Sequence, residues 1–209
     1  MKTSKLIIRT RSLLLLLAAM AVVLFVAACS ETSEENEYDN WKVRNYTYID
    51  SIARVARLNA DGRWRIYQSY KLDTTYKNGT LADSVYCHVE TTGSGTQSPL
   101  FSDTVRVNYR GRLIATTNYP QGYVFDQSYS GSLNPAIDVP SKLYLGGCVT
   151  GWITAMQQMV DGDIWTLYIP WELGYGTYDQ NYIPAYSVLR FEVNLVKFYP
   201  AGQIVPDWN

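Results

Sequence analysis

The sequence predicts an α+β fold in which an antiparallel sheet packs against a short helix, with an amphipathic helix ahead of the sheet. Several short segments alternate apolar with polar residues and are rich in β-branched and aromatic side chains, as strands of a half-buried sheet are. In two places apolar residues recur at three- and four-residue spacing, which is the period of a helix face. Glycine, proline and asparagine separate the segments and predict turns.

The central pattern lies between residues 143 and 176. A short apolar run ends at Gly146-Gly147, where the missing side chains let the backbone turn sharply. Thr150 is then predicted to cap a helix that Asp161-Gly162-Asp163 ends. The apolar face of this helix comprises Trp152, Ile153, Met156 and Met159. Residues 164–169 predict a strand that stops at Pro170, because proline cannot donate to a sheet.

The remaining strands follow from alternation. Residues 64–72 and 85–89 predict two strands, with a tight turn at Asn78-Gly79 between them. Two further strands each place their apolar residues on one face, so both can line one side of a single cavity. These residues are Val105, Val107 and Tyr109 in one strand and Leu189, Phe191, Val193 and Leu195 in the other.

Residues 1–28 have the pattern of an export signal. Basic residues precede an apolar run that is shorter than the roughly 20 residues needed to span a bilayer core. Val26-Ala27-Ala28-Cys29 resembles the lipobox of bacterial lipoproteins, in which the cysteine is lipidated and becomes the N-terminus. The sequence therefore predicts a chain anchored by lipid through Cys29 in the cell envelope, at the outer membrane, facing either the periplasm or the cell surface.

The predicted mature chain is acidic. Removal of residues 1–28 takes away four basic and no acidic residues, which leaves 14 Lys and Arg against 19 Asp and Glu, a net charge of −5. This charge argues against nucleic acid as a partner. Residues 29–40 carry five carboxylates and few apolar side chains, which predicts a solvated tether.

Residues 41–58 predict an amphipathic helix, with Asn40 as its cap and Gly62 as its stop. Its apolar face comprises Trp41, Tyr48, Ile49, Ile52, Val55 and Ala56. Such a face either packs on its own domain, as most single amphipathic helices do, or forms a homodimer or chaperone surface. With the strand that follows, this helix makes a predicted N-terminal extension over residues 41–84.

Six motifs, in order and at similar spacing, resemble the FKBP-type peptidyl-prolyl cis-trans isomerases. They are Val105 to Gly111, Val124 to Ser128, Leu145 to Trp152, Ile169 to Gly176, Ile183-Pro184 and Leu189 to Leu195. The resemblance covers roughly residues 85–199 and leaves residues 200–209 as a tail. It implies a strongly bent antiparallel sheet wrapped around the Thr150 helix, and isomerisation of Xaa-Pro bonds.

The resemblance also implies a proline-binding pocket. Trp152 would form its floor beneath the proline ring, and its walls would be Tyr109, Phe125 and Phe191. Asp126 would accept a hydrogen bond from the Tyr109 hydroxyl and so position that ring.

Further implied residues lie at the rim of this pocket. Val149 would offer its backbone N–H and Tyr175 its hydroxyl to a bound peptide. Ile183 would close one side, and Cys148 would replace an apolar residue of the pocket. The chain departs from compact members of the family by extra residues between Tyr109 and Phe125 and after Asp126. Ser141 also stands where an aromatic wall is common, so an altered rim is expected.

Nucleophilic and metal-dependent chemistry have little support. The chain has one histidine, His88, predicted to lie on the surface, whereas Ser-His, Cys-His and zinc sites need several clustered groups. No metal and no cofactor are therefore predicted. Cys87 and Cys148 are expected either to form a disulfide or to remain two separate buried thiols.

Two functions from different classes remain. The first is an envelope-anchored peptidyl-prolyl isomerase that acts on proline-containing polypeptides and helps them to fold. The second is a non-catalytic peptide-binding or chaperone module that uses the same pocket. Glycan binding is a third alternative, which rests only on the 18 tyrosines of the chain.

Overall fold

The computed structural model describes residues 36–73, 75 and 79–208. The predicted signal peptide, Cys29, most of the predicted tether and Asn78 of the predicted turn lie outside these residues. Two α-helices and seven strands occur in the described part of the chain: α1 Trp41–Leu58, β1 Trp64–Gln68, β2 Ser84–Thr91, β3 Thr104–Arg112, β4 Val124–Gln127, β5 Ser141–Tyr144, α2 Thr150–Met156, β6 Ile164–Ile169 and β7 Leu189–Tyr199.

The strands form one antiparallel sheet in the order β1-β2-β6-β7-β3. Along the other edge of β3, β5 pairs with residues 104–107 and β4 with residues 110–112. The register shifts in the pairings of β2 with β6, β3 with β4 and β3 with β7. Such irregularities bend a sheet and increase its twist, so this sheet can curve around the short helix.

Helix α2 lies in the concave side of the sheet. Its residues from Gly151 to Met156 are all buried, and it contacts β1, β2 and β6. Gly151 permits this close packing, because a Cβ atom there would lie 2.3 Å from Cγ2 of Ile169. The α+β fold with a bent antiparallel sheet around a short helix is thus confirmed.

The ends of α2 differ from the prediction. Val149, rather than Thr150, occupies the N-cap position, and its side chain makes no capping bond. The helix ends at Met156, and Met159 is buried in the turn that follows. This turn is held by Asp163, whose carboxylate accepts from the backbone N–H groups of Val160 at 2.8 Å and Gly93 at 2.7 Å.

Helix α1 has the predicted bounds and packs on its own domain. Its buried stripe is Trp41, Asn45, Ile49, Ala53 and Ala56. Val55, predicted on the apolar face, is instead 49% exposed. A homodimer through α1 would therefore have to use the remaining face of the helix. No helix in the described part of the chain is long and apolar enough to cross a membrane.

Asn40 occupies the N-cap position of α1, as predicted, although with φ 53° it makes no side-chain capping bond. The predicted stop at Gly62 differs from the structure. Asn59, with φ 46°, ends the helix by donating its backbone N–H to the Val55 carbonyl, three residues before Gly62. Strand β1 also ends earlier than predicted, at Gln68, since Leu72 turns back to donate to the Ser69 carbonyl.

The sheet is covered on both faces near β2, where the consecutive residues Val85, Tyr86 and Cys87 are all buried. Helix α2 covers one face, and α1 contacts β1 and β2.

His88 of β2 is partly covered, with its side chain only 17% exposed and the Trp64 ring 5.0 Å away. Its ring bonds to Asp61 and Glu90, each at 2.8 Å. Burial lowers the pKa of His88, but these two bonds outweigh it and the net pKa is raised.

Two buried hydrogen bonds join α1 to the loop before β7. Asn45 Oδ1 accepts from the backbone N–H of Val188 at 2.7 Å, and its Nδ2 donates to the Trp41 carbonyl at 2.8 Å. The indole N–H of Trp41 donates to Ser187 Oγ at 2.9 Å. Asn45 is fully buried, so its amide exchanges water for these partners alone.

We expect Asn45→Ala to lower the free energy of unfolding by about 1–3 kcal/mol, because it leaves the Val188 N–H buried without an acceptor. Urea unfolding followed by tryptophan fluorescence measures this. Tyr46→Ala, at a neighbouring position that is 58% exposed, is the control and should change stability by no more than about 0.5 kcal/mol. Equal losses in the two variants would contradict this assignment.

Candidate functional site

Four aromatic rings from four different elements meet on the concave side of the sheet. Trp152 of α2 lies edge to face with Tyr109 of β3, at 5.7 Å between ring centroids, and with Phe191 of β7, at 5.4 Å. Phe125 of β4 meets Phe191 edge to face at 5.4 Å. These contacts are the preferred geometry of aromatic pairs, so each ring fixes the orientation of its neighbour.

Gly111 of β3 allows two of these rings to come together. A Cβ atom at this position would lie 2.6 Å from ring atoms of both Phe125 and Phe191. Gly111 pairs with Asp126 on one side and with Phe191 on the other, so it sits between the strands that carry the rings. Any larger residue at this position of the motif would therefore collide with the two rings.

The Tyr109 hydroxyl donates to Asp126 Oδ2 at 2.9 Å, as the resemblance implied. The backbone N–H of Tyr109 also donates to Ser128 Oγ at 2.8 Å, and that of Ser128 to the Tyr109 carbonyl at 2.9 Å. Burial, followed by the hydrogen bond and the charge of Asp126, raises the pKa of Tyr109. The phenol therefore stays protonated and acts as a fixed donor to Asp126.

A cavity of about 210 Å³ opens over Trp152. Seven of the predicted site residues line it: Tyr109, Asp126, Cys148, Val149, Trp152, Tyr175 and Phe191. Leu143 and Gly147 also line it and were not predicted. Alternation within β5 was the available signal for Leu143, because Ser141 and Leu143 are partly covered while Lys142 and Tyr144 are exposed.

The other two predicted residues line an adjoining cavity. Phe125 and Ile183 border a second concavity of about 370 Å³, which shares Asp126 and Tyr175 with the first. Ile183 is buried at the base of the loop that precedes β7. The structure thus brings all nine predicted residues to one region but divides them between two connected cavities.

The rim of the cavity carries a thiol and a phenol, both of which have raised pKa values. Burial raises the pKa of the Cys148 thiol to about 11, so it stays protonated at neutral pH. Burial, together with the nearby Asp126 and Cys148, raises the pKa of Tyr175, which is 39% exposed at the mouth of the cavity. Cys87 and Cys148 are both free thiols, so the alternative of two separate thiols is the one observed, although only Cys87 is fully buried and Cys148 is partly exposed. Among the described residues, no group of three or more His, Cys, Asp or Glu side chains is placed to hold a metal ion.

Comparison with known proteins gives consistent similarities. The profile of the family described as FKBP-type peptidyl-prolyl cis-trans isomerase matches residues 95–196. FK506-binding protein 1 of Aspergillus oryzae is 34% identical over 110 residues, which cover 51% of this chain and 91% of that protein. The peptidyl-prolyl cis-trans isomerase Mip of Coxiella burnetii is 37% identical over 118 residues, which cover 56% of this chain and 46% of that protein.

Other relatives are longer, and the chain spans about half the length of several curated relatives that it matches. A crystal structure of a peptidyl-prolyl cis-trans isomerase from Pseudomonas syringae pv. tomato aligns with a TM-score of 0.46 and 24% identity, over 72% of this chain and 96% of that one.

Proposed function

The chain belongs to the family of FKBP-type peptidyl-prolyl cis-trans isomerases, and on this premise we propose that it accelerates the cis-trans isomerisation of Xaa-Pro bonds in polypeptides. The observation that carries the proposal is the cavity over Trp152, whose aromatic walls are held edge to face. Among the described residues that line it, Asp126 is the only ionisable side chain besides the tyrosines and Cys148. Such a site suits a reaction that changes no covalent bond.

Rotation about an Xaa-Pro bond can be accelerated by moving the amide from water into an apolar cavity. The barrier to amide rotation is about 18–20 kcal/mol, because twisting removes the resonance of the amide. Water stabilises the planar, charge-separated amide more than the twisted one. An apolar cavity that excludes water therefore favours the twisted form relative to the planar ground state, without a proton donor or nucleophile.

We assign the proline ring to the face of Trp152, with Tyr109 and Phe191 beside it. Trp152 is only 3% exposed, so a ring placed over it is removed from water on that side. Leu143 borders the same cavity and would supply the wall for which Ser141 has no suitable side chain. Phe125 would support Phe191 and meet the residue next to the proline, because it borders the second cavity.

Polar groups at the rim would hold the peptide backbone. Val149 has an extended backbone with φ −64° and ψ 152° at the start of α2, where its N–H would donate to a peptide carbonyl. The Tyr175 hydroxyl stands at the mouth of both cavities and would be a second donor. Cys148 and Ile183 would act as apolar contacts, and Asp126 would position Tyr109. These contacts orient the bond to be rotated.

We further propose the domain arrangement that the sequence predicts. Residues 85–199 would form the isomerase domain, and residues 41–84 an extension that packs on it. Residues 1–28 would direct export and residues 29–40 would tether the domain to a lipid on Cys29. Together these features would place the activity on proline-containing polypeptides of the cell envelope, with the domain at the outer membrane.

The purified chain is expected to accelerate exchange of a Leu-Pro or Phe-Pro peptide in an assay that needs no coupled protease. Phe125→Ala should lower kcat/KM by about tenfold or more, because it removes a ring that borders the substrate site and supports Phe191. Phe198→Ala is the matched control: Phe198 is a partly buried phenyl on the same strand as Phe191 but lies outside both cavities.

The control should lose stability while keeping its rate. If the folded wild-type chain binds proline peptides without accelerating exchange, the non-catalytic peptide-binding module is the correct function. Equal rate losses in the two variants would show that Phe125 acts only through stability.

The rate should be nearly independent of pH between about 6 and 8. The Tyr109, Tyr175 and Cys148 side chains have pKa values raised above their ordinary values, so none of them loses its proton in this range. Histidine is the side chain whose ordinary pKa lies within this range, but His88 borders neither cavity. The kcat/KM, corrected for the uncatalysed rate, should vary by no more than about twofold. A tenfold slope that His88→Gln abolishes would refute both the mechanism and the remoteness of His88.

Replacement of Cys29 by Ala should move the protein from the membrane fraction to the soluble one or leave the precursor uncleaved, because the thiol accepts the lipid. Metabolic labelling with a palmitate analogue, followed by gel fluorescence, measures the modification directly. Cys87→Ala is the control and should retain the label. Label retained in the Cys29 variant would exclude this residue as the acceptor.

A further inference from the structure

A third concavity continues from the two that form the candidate site. Its volume is about 580 Å³, and it shares Asn181, Tyr182 and Ile183 with the second cavity. We call it the tyrosine groove; its lining residues are Glu37, Tyr38, Tyr119, Tyr123, Asp179, Asn181, Tyr182, Ile183 and Pro184. Tyr119 and Tyr123 lie in the segment between Tyr109 and Phe125 that is longer than in compact family members. These two tyrosines, together with Glu37 and Tyr38 of the N-terminal segment, are four of the nine lining residues, and all four lie outside the family motifs.

Aromatic rings give the groove its surface. Tyr119 and Tyr123 meet edge to face at 5.1 Å, and Tyr123 and Tyr182 do so at 6.3 Å. Tyr119 is 41% and Tyr182 74% exposed. Edge-to-face contacts hold neighbouring rings at steep angles, so part of each exposed ring face remains available to a bound side chain. Ring faces attract cations as well as apolar groups.

The charged side chains of the lining are both acidic. Glu37 accepts from Thr116 Oγ1, and Asp179 Oδ1 accepts from the backbone N–H of Ala185 at 2.7 Å, so each carboxylate is held in place. Arg44 is close to Glu37 but does not line the groove: its guanidinium donates to the carbonyls of Glu37 and Ala115 and lies 5.2 Å from the Trp41 ring. Burial, followed by the charge of Glu37, raises the pKa of Tyr38, as expected beside a carboxylate.

We propose that the tyrosine groove binds the part of the substrate polypeptide that flanks the isomerised bond and favours a lysine or arginine there. The inference rests on the proposed function of the neighbouring cavities, because a chain whose proline lies over Trp152 can continue past Asp126, Tyr175 and Ile183 into the groove. The aliphatic stem of the basic side chain would lie on the tyrosine rings, with its charge toward Glu37 and Asp179.

A segment of this chain itself fits the groove less well. The residues that precede Glu37 in the sequence include Glu31, Glu34 and Glu35. They would bring like charge toward two carboxylates, which costs free energy, whereas a basic partner gains it. Charge complementarity thus favours an external polypeptide with a positive side chain.

The test uses the full purified chain and a set of fluorescent peptides, each with one Leu-Pro bond. A single Lys, Gln or Glu is placed two to six residues before or after the proline. Dissociation constants come from anisotropy, and kcat/KM from the exchange assay. At low ionic strength we expect the Lys peptide to bind about fivefold more tightly than the Glu peptide at the best position, with less preference at 0.5 M salt.

Two double variants separate the groove from overall charge. Glu37→Gln with Asp179→Asn should remove most of the preference for Lys, so that the Lys, Gln and Glu peptides bind with similar dissociation constants, because the two substitutions replace the acidic side chains of the groove lining. Asp138→Asn with Asp207→Asn changes the net charge equally outside the groove and should keep the preference.

The proposal would be overturned if both double variants lost the preference for Lys equally. It would also be overturned if the wild-type chain showed no preference for Lys at any position of the peptide. If the chain binds the peptides but accelerates none of them, the isomerase function fails, whereas the dissociation constants still decide whether the groove selects a basic residue.

Discussion

The contact of Trp152 with Tyr109 and Phe191 is the interaction on which the site depends. It joins the short helix to two central strands of the sheet, so the floor of the cavity is also part of the core. Gly111 lets Phe125 and Phe191 meet above β3, and Gly151 lets the helix approach β6. A site built on such contacts is rigid, because moving one ring would disturb the packing of the sheet.

This rigidity fits a reaction that depends on environment rather than on a reactive group. The hydroxyl of Tyr109 donates a hydrogen bond to Asp126. The thiol of Cys148 is protonated at neutral pH, because burial raises its pKa to about 11. The cavity therefore offers ring faces and fixed hydrogen-bond donors. On the proposed function, specificity would come from the rim, where Leu143 and the tyrosine groove border the candidate site.

Local sequence patterns predicted many of the elements. The bounds of α1 and β6 were predicted to the residue, since a regular apolar period and the following Asn, Gly or Pro determine them locally. Errors arose where distant residues intervene. Asp163 and Gly93, 70 positions apart, hold the turn that ends α2, and β1 stops where Ser69 donates to the Asp83 carbonyl.

The sequence by itself determined the α+β class, the order of the predicted elements and the acidic character of the chain, because these depend on residue type and on spacing over a few positions. The members of the aromatic site were predicted from the resemblance of six motifs to a known family. Tertiary structure alone decided that Leu143 borders the cavity, that Phe125 and Ile183 belong to an adjoining one, and that Glu37 and Asp179 face one groove. Those relations join residues far apart in the chain, and only the curvature of the sheet and the course of the inserted loops bring them together.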